Sequence, residues 1–543
     1  MAVATAVVGA LSLVTSPTAG AAQPARLSVA TAAPPSTQPS KSIRVSSNVR
    51  LGSGGPSVRG ADIPGLAVDP ANPRHIVEVD EDFIAGTCDY HVSFDGGATW
   101  AGGTIAAPAG FESPPCHQFD IGGYAHSDAS VAFGSGGNVY TTFSSQPSPT
   151  ATTQSVLVAR STDGGRSFGA ATVALAAGSD GLATFQRPQL AVKAHAGGDR
   201  VYVDAWGGVV AGTHFGASSS SIPGCGQPCG FKIVMATSDN GGSTWSAPEA
   251  VSAPTKPGKA GPAAPLGITR EQSRPVVAPN GDLYVAWRSL AKVKPDTDEL
   301  VVGRSTNGGA TWAPVVVGGA GNAILGLRAP TMAVGPHGTI YVAYQLQTSK
   351  GLPDIAVVHS SDGGVAWSAP ASVVDPANVG DAHLPQISVA PNGRVDVAWF
   401  DFRNSPGTTM SLMDVYMASS TDHGQAFSAN RRITDRSIDY DTGLFKRLLE
   451  KYFYTPAIAA IGANTDLVAW GDSRLGNVTN ADQDIFDAKV TFDPSGPVPV
   501  STLGAPTPPS TPEQASVALA QLAYPGGQET AGSKVVVVNS NDP

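Results

Sequence analysis

The sequence predicts an all-β chain: a seven-bladed propeller of four-stranded antiparallel blades, with a short α/β extension at its C-terminal end. Three observations carry that expectation. They are a composition of punctuated short strands, an octapeptide that recurs six times, and a strand–turn–strand pattern that recurs seven times. The 543 residues include 63 Gly and 44 Pro, about 12% and 8% against averages of roughly 7% and 5%. Only 14% are charged while 41% are apolar, which argues against long helices and for many short strands joined by tight turns. The net charge of −10 lacks the basic footprint that nucleic acid requires. No run reaches the ~18 apolar residues of a membrane-spanning helix. No Gly-rich phosphate loop stands between a strand and a helix, so no cofactor is expected; no metal site is expected either.

The octapeptide reads Ser93-Phe-Asp-Gly-Gly-Ala-Thr-Trp100 in its first copy. It returns at Ser161–Phe168, Ser238–Trp245, Ser305–Trp312, Ser360–Trp367 and, with His in place of the first Gly, at Ser420–Phe427. Each copy follows a short apolar strand. An Asp or Asn that caps its own turn, followed by Gly that supplies a positive φ, is the chemistry of a hairpin turn. Ahead of each copy lies a small apolar strand, a Pro/Asn/Gly turn and a strand ending in an aromatic, as in Val276–Trp287, Met332–Tyr344 and Ile387–Trp399. A seventh such unit, Ile458–Trp470, has no intact octapeptide after it. Seven units over residues 46–497 give about 65 residues each, enough for a four-stranded blade. The strand Ser42 to Leu51 is expected to complete the outer edge of blade seven and close the ring. Six blades is the alternative, should the seventh unit only cap the others.

The flanks read differently. Residues 1–22 suit an export signal, with an apolar run from Ala2 to Val14 and small residues at Ala19–Ala22. Residues 23–45 suit a flexible linker, and residues 498–512 a Pro/Ser/Thr linker. Residues 513–543 combine a capped helix pattern with a Val-rich strand, or else form a disordered tail. The four cysteines fit an oxidising compartment, with Cys225–Cys229 closing a small loop and Cys88 left to pair with Cys116; zinc is the competing reading. One helix is expected inside the ring, from Thr442 to Tyr452.

The octapeptide is similar to the Asp-box, or bacterial neuraminidase repeat, and the chain resembles the sialidase-like β-propellers over about 85% of its length. The C-terminal fragment resembles half of a Gram-positive cell-wall-binding repeat. These resemblances imply a secreted, extracellular protein, possible attachment to a cell-wall polymer, extracellular glycans or glycoproteins as partners, and a monomer. They also imply that the boxes are structural and lie away from the active face.

On the opposite face, one polar residue per unit stands just before the inner strand: Asp62, His126, Gln186, Glu271, Arg328, His383 and Tyr454. Strand-two ends add Asp80, Glu81, Asp82, Asp204, Arg288, Asp401, Arg403, Asp472 and Arg474. Of these, Trp399-Phe-Asp-Phe-Arg403 and Trp470-Gly-Asp-Ser-Arg474 read as Asp–Arg pins of loops. By resemblance to the sialidases, Tyr454 is the nucleophile, Glu271 activates it, and Asp80 or Asp82 supplies the acid/base. Arg288 and Arg328 stand for two arms of the carboxylate-binding arginine triad, beside Asp62, His383 and His126. In Ala61-Asp-Ile-Pro64 the first arm is replaced by Asp62, which weakens bidentate capture of a carboxylate. Three functions stay open: a glycoside hydrolase, of exo-α-sialidase type with an incomplete triad or another glycosidase using two rim carboxylates; a non-catalytic propeller that binds glycan or protein through aromatics such as Tyr124, Trp206 and Tyr344; or a structural surface module.

Overall fold

A computed structural model describes residues 25–26, 42–51, 59–116, 129–148, 151, 153–195, 198–208, 231–252, 274–290, 298–317, 329–347, 353–376, 381–405, 411–439, 441–442, 455–477 and 482–493. These form seven antiparallel sheets arranged as the blades of a propeller. Blade one is Ala61–Asp69, Asn72–Asp82, Thr87–Ser93 and Ala101–Thr104, paired in that order from the axis outwards. Blades two to six repeat the pattern. Blade seven takes Ala457–Gly462, Thr465–Asp472 and Asp484–Asp493 from the end of the ring, and its outer strand, Ser42–Val45, from the beginning. Val49–Arg50 pairs further along Asp484–Asp493. The ring is therefore closed by the early segment, as expected, and seven blades rather than six are present.

Strand side chains alternate between two faces, and here both faces of most strands are apolar. A separate hydrophobic core consequently fills each of the seven seams between neighbouring blades. Residues Ala25–Arg26, expected as linker, pair in parallel with the outer strand of blade four. The disulfide Cys88–Cys116 joins blade one to the segment that follows it. The expected signal segment, the helix beyond Thr442, the C-terminal repeat, Cys225 and Cys229 lie outside the described residues.

All six octapeptides connect the third strand of a blade to the fourth. Their local chemistry repeats. Ser93 donates to Asp95 at 2.8 Å and accepts the Gly97 amide at 2.7 Å, while Asp95 Oδ1 accepts the amides of Ala98 and Thr99 at 2.9 Å. Hydrogen bonds of this kind hold the Asp95 carboxyl far below the usual carboxylate range, with Thr99 the main contributor. The second Gly of every copy takes a positive φ, and in the second copy it is required by space as well. At Gly165, with φ 82°, a Cβ would come within 2.7 Å of Val77 in the neighbouring blade. His423 replaces the first Gly in the sixth copy and takes φ 63°, a conformation that His tolerates better than most residues.

Candidate functional site

The face opposite the octapeptides carries the lead-ins to the inner strands and the loops between strands two and three. Here the central channel forms a cavity of about 150 Å³ to which every blade contributes. Its lining is largely small and apolar, among them Gly65, Ala129, Ala329 and Ala457, and it carries two guanidinium groups, Arg187 and Arg274. Both stand immediately before a proline.

The backbone explains why that position turns inwards. The inner strands of blades one, three and six each slip register, between Asp62 and Gly65, Gln186 and Gln189, and His383 and Gln386. At each slip the residue before proline adopts a left-handed conformation: Ile63 at φ 57°, Arg187 at 53° and Leu384 at 57°. A bulge re-aims a side chain, and positive φ in a β-branched residue such as Ile63 stores strain. In blades one and three the re-aimed residue lines the channel, whereas Leu384 packs into the core between blades six and seven.

Arg274 is half-buried and has no ion-pair partner among the described residues. Burial alone pushes its guanidinium down to about 10. Arg288 is half-buried at the end of strand two of blade four.

The other expected site residues are distributed differently. Asp62 is buried; Gln483 donates to it at 2.5 Å, and Gly471 of blade seven leaves it room that a Cβ would take. Asp82 is buried too, accepting the amides of Gly60, Ile84 and Ala85 at 2.9–3.1 Å and the Arg59 Nε at 3.2 Å. Asp80 has no exposed surface and lies 3.6 Å from Arg59 and 3.3 Å from His91. The structure thus gathers Asp62, Asp80 and Asp82 into the seam between blades seven and one. His383 is buried beside Gln345 at 3.1 Å and Asp381 at 3.5 Å, edge-on to Phe402. The two pins are present: Arg403 holds Asp401, and Arg474 holds Asp472, at 2.7 Å each. A Trp on the same strand donates to each of these carboxylates, Trp399 at 2.9 Å and Trp470 at 2.8 Å. Glu271, Arg328, Tyr454 and His126 lie outside the described residues.

Sequence reasoning missed Arg187 because it took Gln186, two before the proline, and missed Arg274 because it took Glu271, four before the proline. It also missed Arg59, which reaches Asp82, Asp89 at 2.5 Å and Asp484 at 3.0 Å. The alternation Glu78-Val-Asp80-Glu-Asp82, facing Asp89-Tyr-His91, was the available signal for that cluster.

No family model matches the chain, and no curated protein matches it. Solved structures of glycan-acting propellers are similar in fold at low identity. The Hadza microbial sialidase Hz136 is 15% identical, with a TM-score of 0.40, over 77% of this chain and 74% of that one. An ulvan lyase of polysaccharide lyase family PL25 is 11% identical, with a TM-score of 0.44, over 79% and 93%. The α-L-arabinanase of Penicillium chrysogenum, complexed with arabinobiose, is 15% identical, with a TM-score of 0.39, over 66% and 94%.

Proposed function

We propose that the central channel, on the face away from the octapeptides, receives a carboxylate-bearing sugar of an extracellular glycan. Arg187 and Arg274 bind its anionic group, and Arg288 and Arg328 extend the basic surface. The observation that carries this reading is Arg274, a guanidinium in the channel with no carboxylate partner among the described residues and a proton affinity lowered by burial. A sugar carboxylate placed there offsets that desolvation through a bidentate, charge-assisted pair. On this reading the octapeptides are Asp-boxes serving the fold, and the chain is an exported, monomeric member of the sialidase-like group.

Hydrolysis is the second reading, with Tyr454 as nucleophile and Glu271 as its base. It is favoured by adjacency: Tyr454 directly precedes Thr455 and Glu271 stands three residues before Arg274, both of which line the channel. Simple binding is favoured by the burial of Asp62, Asp80 and Asp82 in the seam between blades, away from a glycan in the channel.

A glycan array run beside hydrolysis of a fluorogenic sialoside and a panel of other glycosides separates the two. Binding confined to acidic glycans and weakened about tenfold or more by Arg274→Gln is the expected result. Folded protein that ignores acidic glycans would remove the channel reading. Turnover abolished by Tyr454→Phe and by Glu271→Gln would add catalysis to it.

A further inference from the structure

Strand two of blade one presents Glu78, Asp80 and Asp82 on one face, opposite Asp89 and His91 of strand three; Glu78 pairs with His91 and Asp80 with Asp89 in the ladder. Ile76, at the same strand parity, packs with Leu467, Ala469 and Ile485 of blade seven, so the polar row faces that blade. One ligand atom from each of Glu78, Asp80 and His91 lies within 4.8 Å of the others, and all three residues are buried. The imidazole Nδ1 of His91 is 2.9 Å from Glu78 Oε2 and 3.3 Å from Asp80 Oδ2.

A second observation concerns what these groups lack. Asp80 has no exposed surface, yet among the described residues neither of its carboxylate oxygens finds a hydrogen-bond donor; Glu78 Oε1 is in the same position. Carboxylates also outnumber cations. Among the described residues Asp80, Asp82, Asp89 and Asp484 share Arg59, with Arg50 as a further partner of Asp484, while Glu78 has the imidazole alone as a close cation. Buried carboxylates without hydrogen bonds or full charge compensation are costly.

We propose that Glu78, Asp80 and His91 bind a divalent transition-metal cation in the seam between blades seven and one. One imidazole nitrogen and two carboxylates form a donor set suited to zinc or manganese, whereas calcium takes six to eight oxygens. The ion neutralises the orphaned oxygens, and because the donors converge only when the strands are paired, its binding favours the folded ring. This site does not depend on the channel reading.

The test uses the full chain, refolded either with zinc or with a chelator, then desalted. The expected result is about one zinc per chain by mass spectrometry, with a thermal midpoint lower by about 5 °C or more in the chelated sample. Asp80→Asn and His91→Gln should each abolish retention, whereas Asp95→Ala, in an octapeptide, should retain the ion. Should the two seam variants fail to fold, wild-type chain refolded with cobalt decides alone, through the visible ligand-field absorption of a protein-bound ion. Refolded chain that retains neither zinc, manganese, cobalt nor nickel, and melts identically with chelator, overturns the proposal. His91 would then be the imidazolium counterion of its two carboxylates.

Discussion

Against blade six, blade seven buries Phe400, Phe402, Trp470, Phe486 and Phe492 within a core of 17 buried apolar residues. Against blade one it buries eight, none of them aromatic. The second seam instead contains Arg59 and the carboxylates of Asp80, Asp82, Asp89 and Asp484. Both seams hold buried charge, since Arg394 of blade six pairs with Asp466 of blade seven at 2.7 Å, but apolar burial dominates the first seam and the second carries the larger ion cluster. The difference teaches that ring closure here adds a buried ion cluster to a smaller apolar core. Apolar packing tolerates small losses gradually, whereas a buried charge left alone is penalised at once.

The most severe test of that contrast is a pair of substitutions. Arg59→Met removes the cation shared by four buried carboxylates and should cost roughly 3–5 kcal/mol in denaturant unfolding. Phe400→Ala should cost a similar ~3–5 kcal/mol through its cavity. Arg59→Met costing under about 1 kcal/mol would mean that the ions do not hold the closing seam.

A gain is expected at Asp487, a buried carboxylate of blade seven that accepts the Trp100 indole at 3.2 Å. Burial pushes its carboxyl up to about 7. The folded chain therefore keeps this proton at a pH where the unfolded chain has lost it. The contribution to stability is full below the unfolded value near 4, is lost as pH rises to about 7, and stays lost above it. Asp487→Asn, which keeps an acceptor for Trp100, should stabilise the protein by roughly 1–3 kcal/mol at pH 8 and by little at pH 4, as read from thermal midpoints at both values. Equal effects at the two pH values would show that the seam tolerates the charge.

The smallest effect is expected where charge is exposed. Asp239 pairs with Arg200 in blade three with 61% of its side chain accessible, so Asp239→Asn should change stability by less than about 0.5 kcal/mol at 0.15 M salt. A larger change would undo the distinction between buried and exposed ions on which the comparison rests.

The blade architecture was legible because each octapeptide is a self-contained turn, with its own Ser–Asp or Ser–Asn hydrogen bond and its own positive-φ glycine. The closing strand was legible because Ser42–Val45 had to satisfy an otherwise bare edge. The channel arginines were not. Arg187 reaches the axis through a bulge and a left-handed backbone, and neither has a signature in a single sequence beyond the following proline. In blade four the aligned position before proline is Arg274, and choosing Glu271 required a turn that hid it. Asp80 and Asp82 were found as polar residues at a strand end, but their burial depends on Arg59 and Asp484 from elsewhere in the chain.

The edge strand borrowed from the beginning of the ring has a kinetic consequence. The amide of Lys489 donates to the Ser46 hydroxyl at 3.0 Å across 443 residues of sequence. A chain emerging from a ribosome can form six blades by local hairpin pairing, yet the seventh must wait until almost the whole propeller has been synthesised. Contacts of such range slow folding, although the entropy of closing a loop grows only logarithmically with its length. From its synthesis until Ser42–Val45 pairs with it, the strand Asp484–Asp493 presents an unpaired edge, an opportunity for exchange between chains. At high concentration, refolding should therefore yield some dimers in which each chain completes the other's last blade.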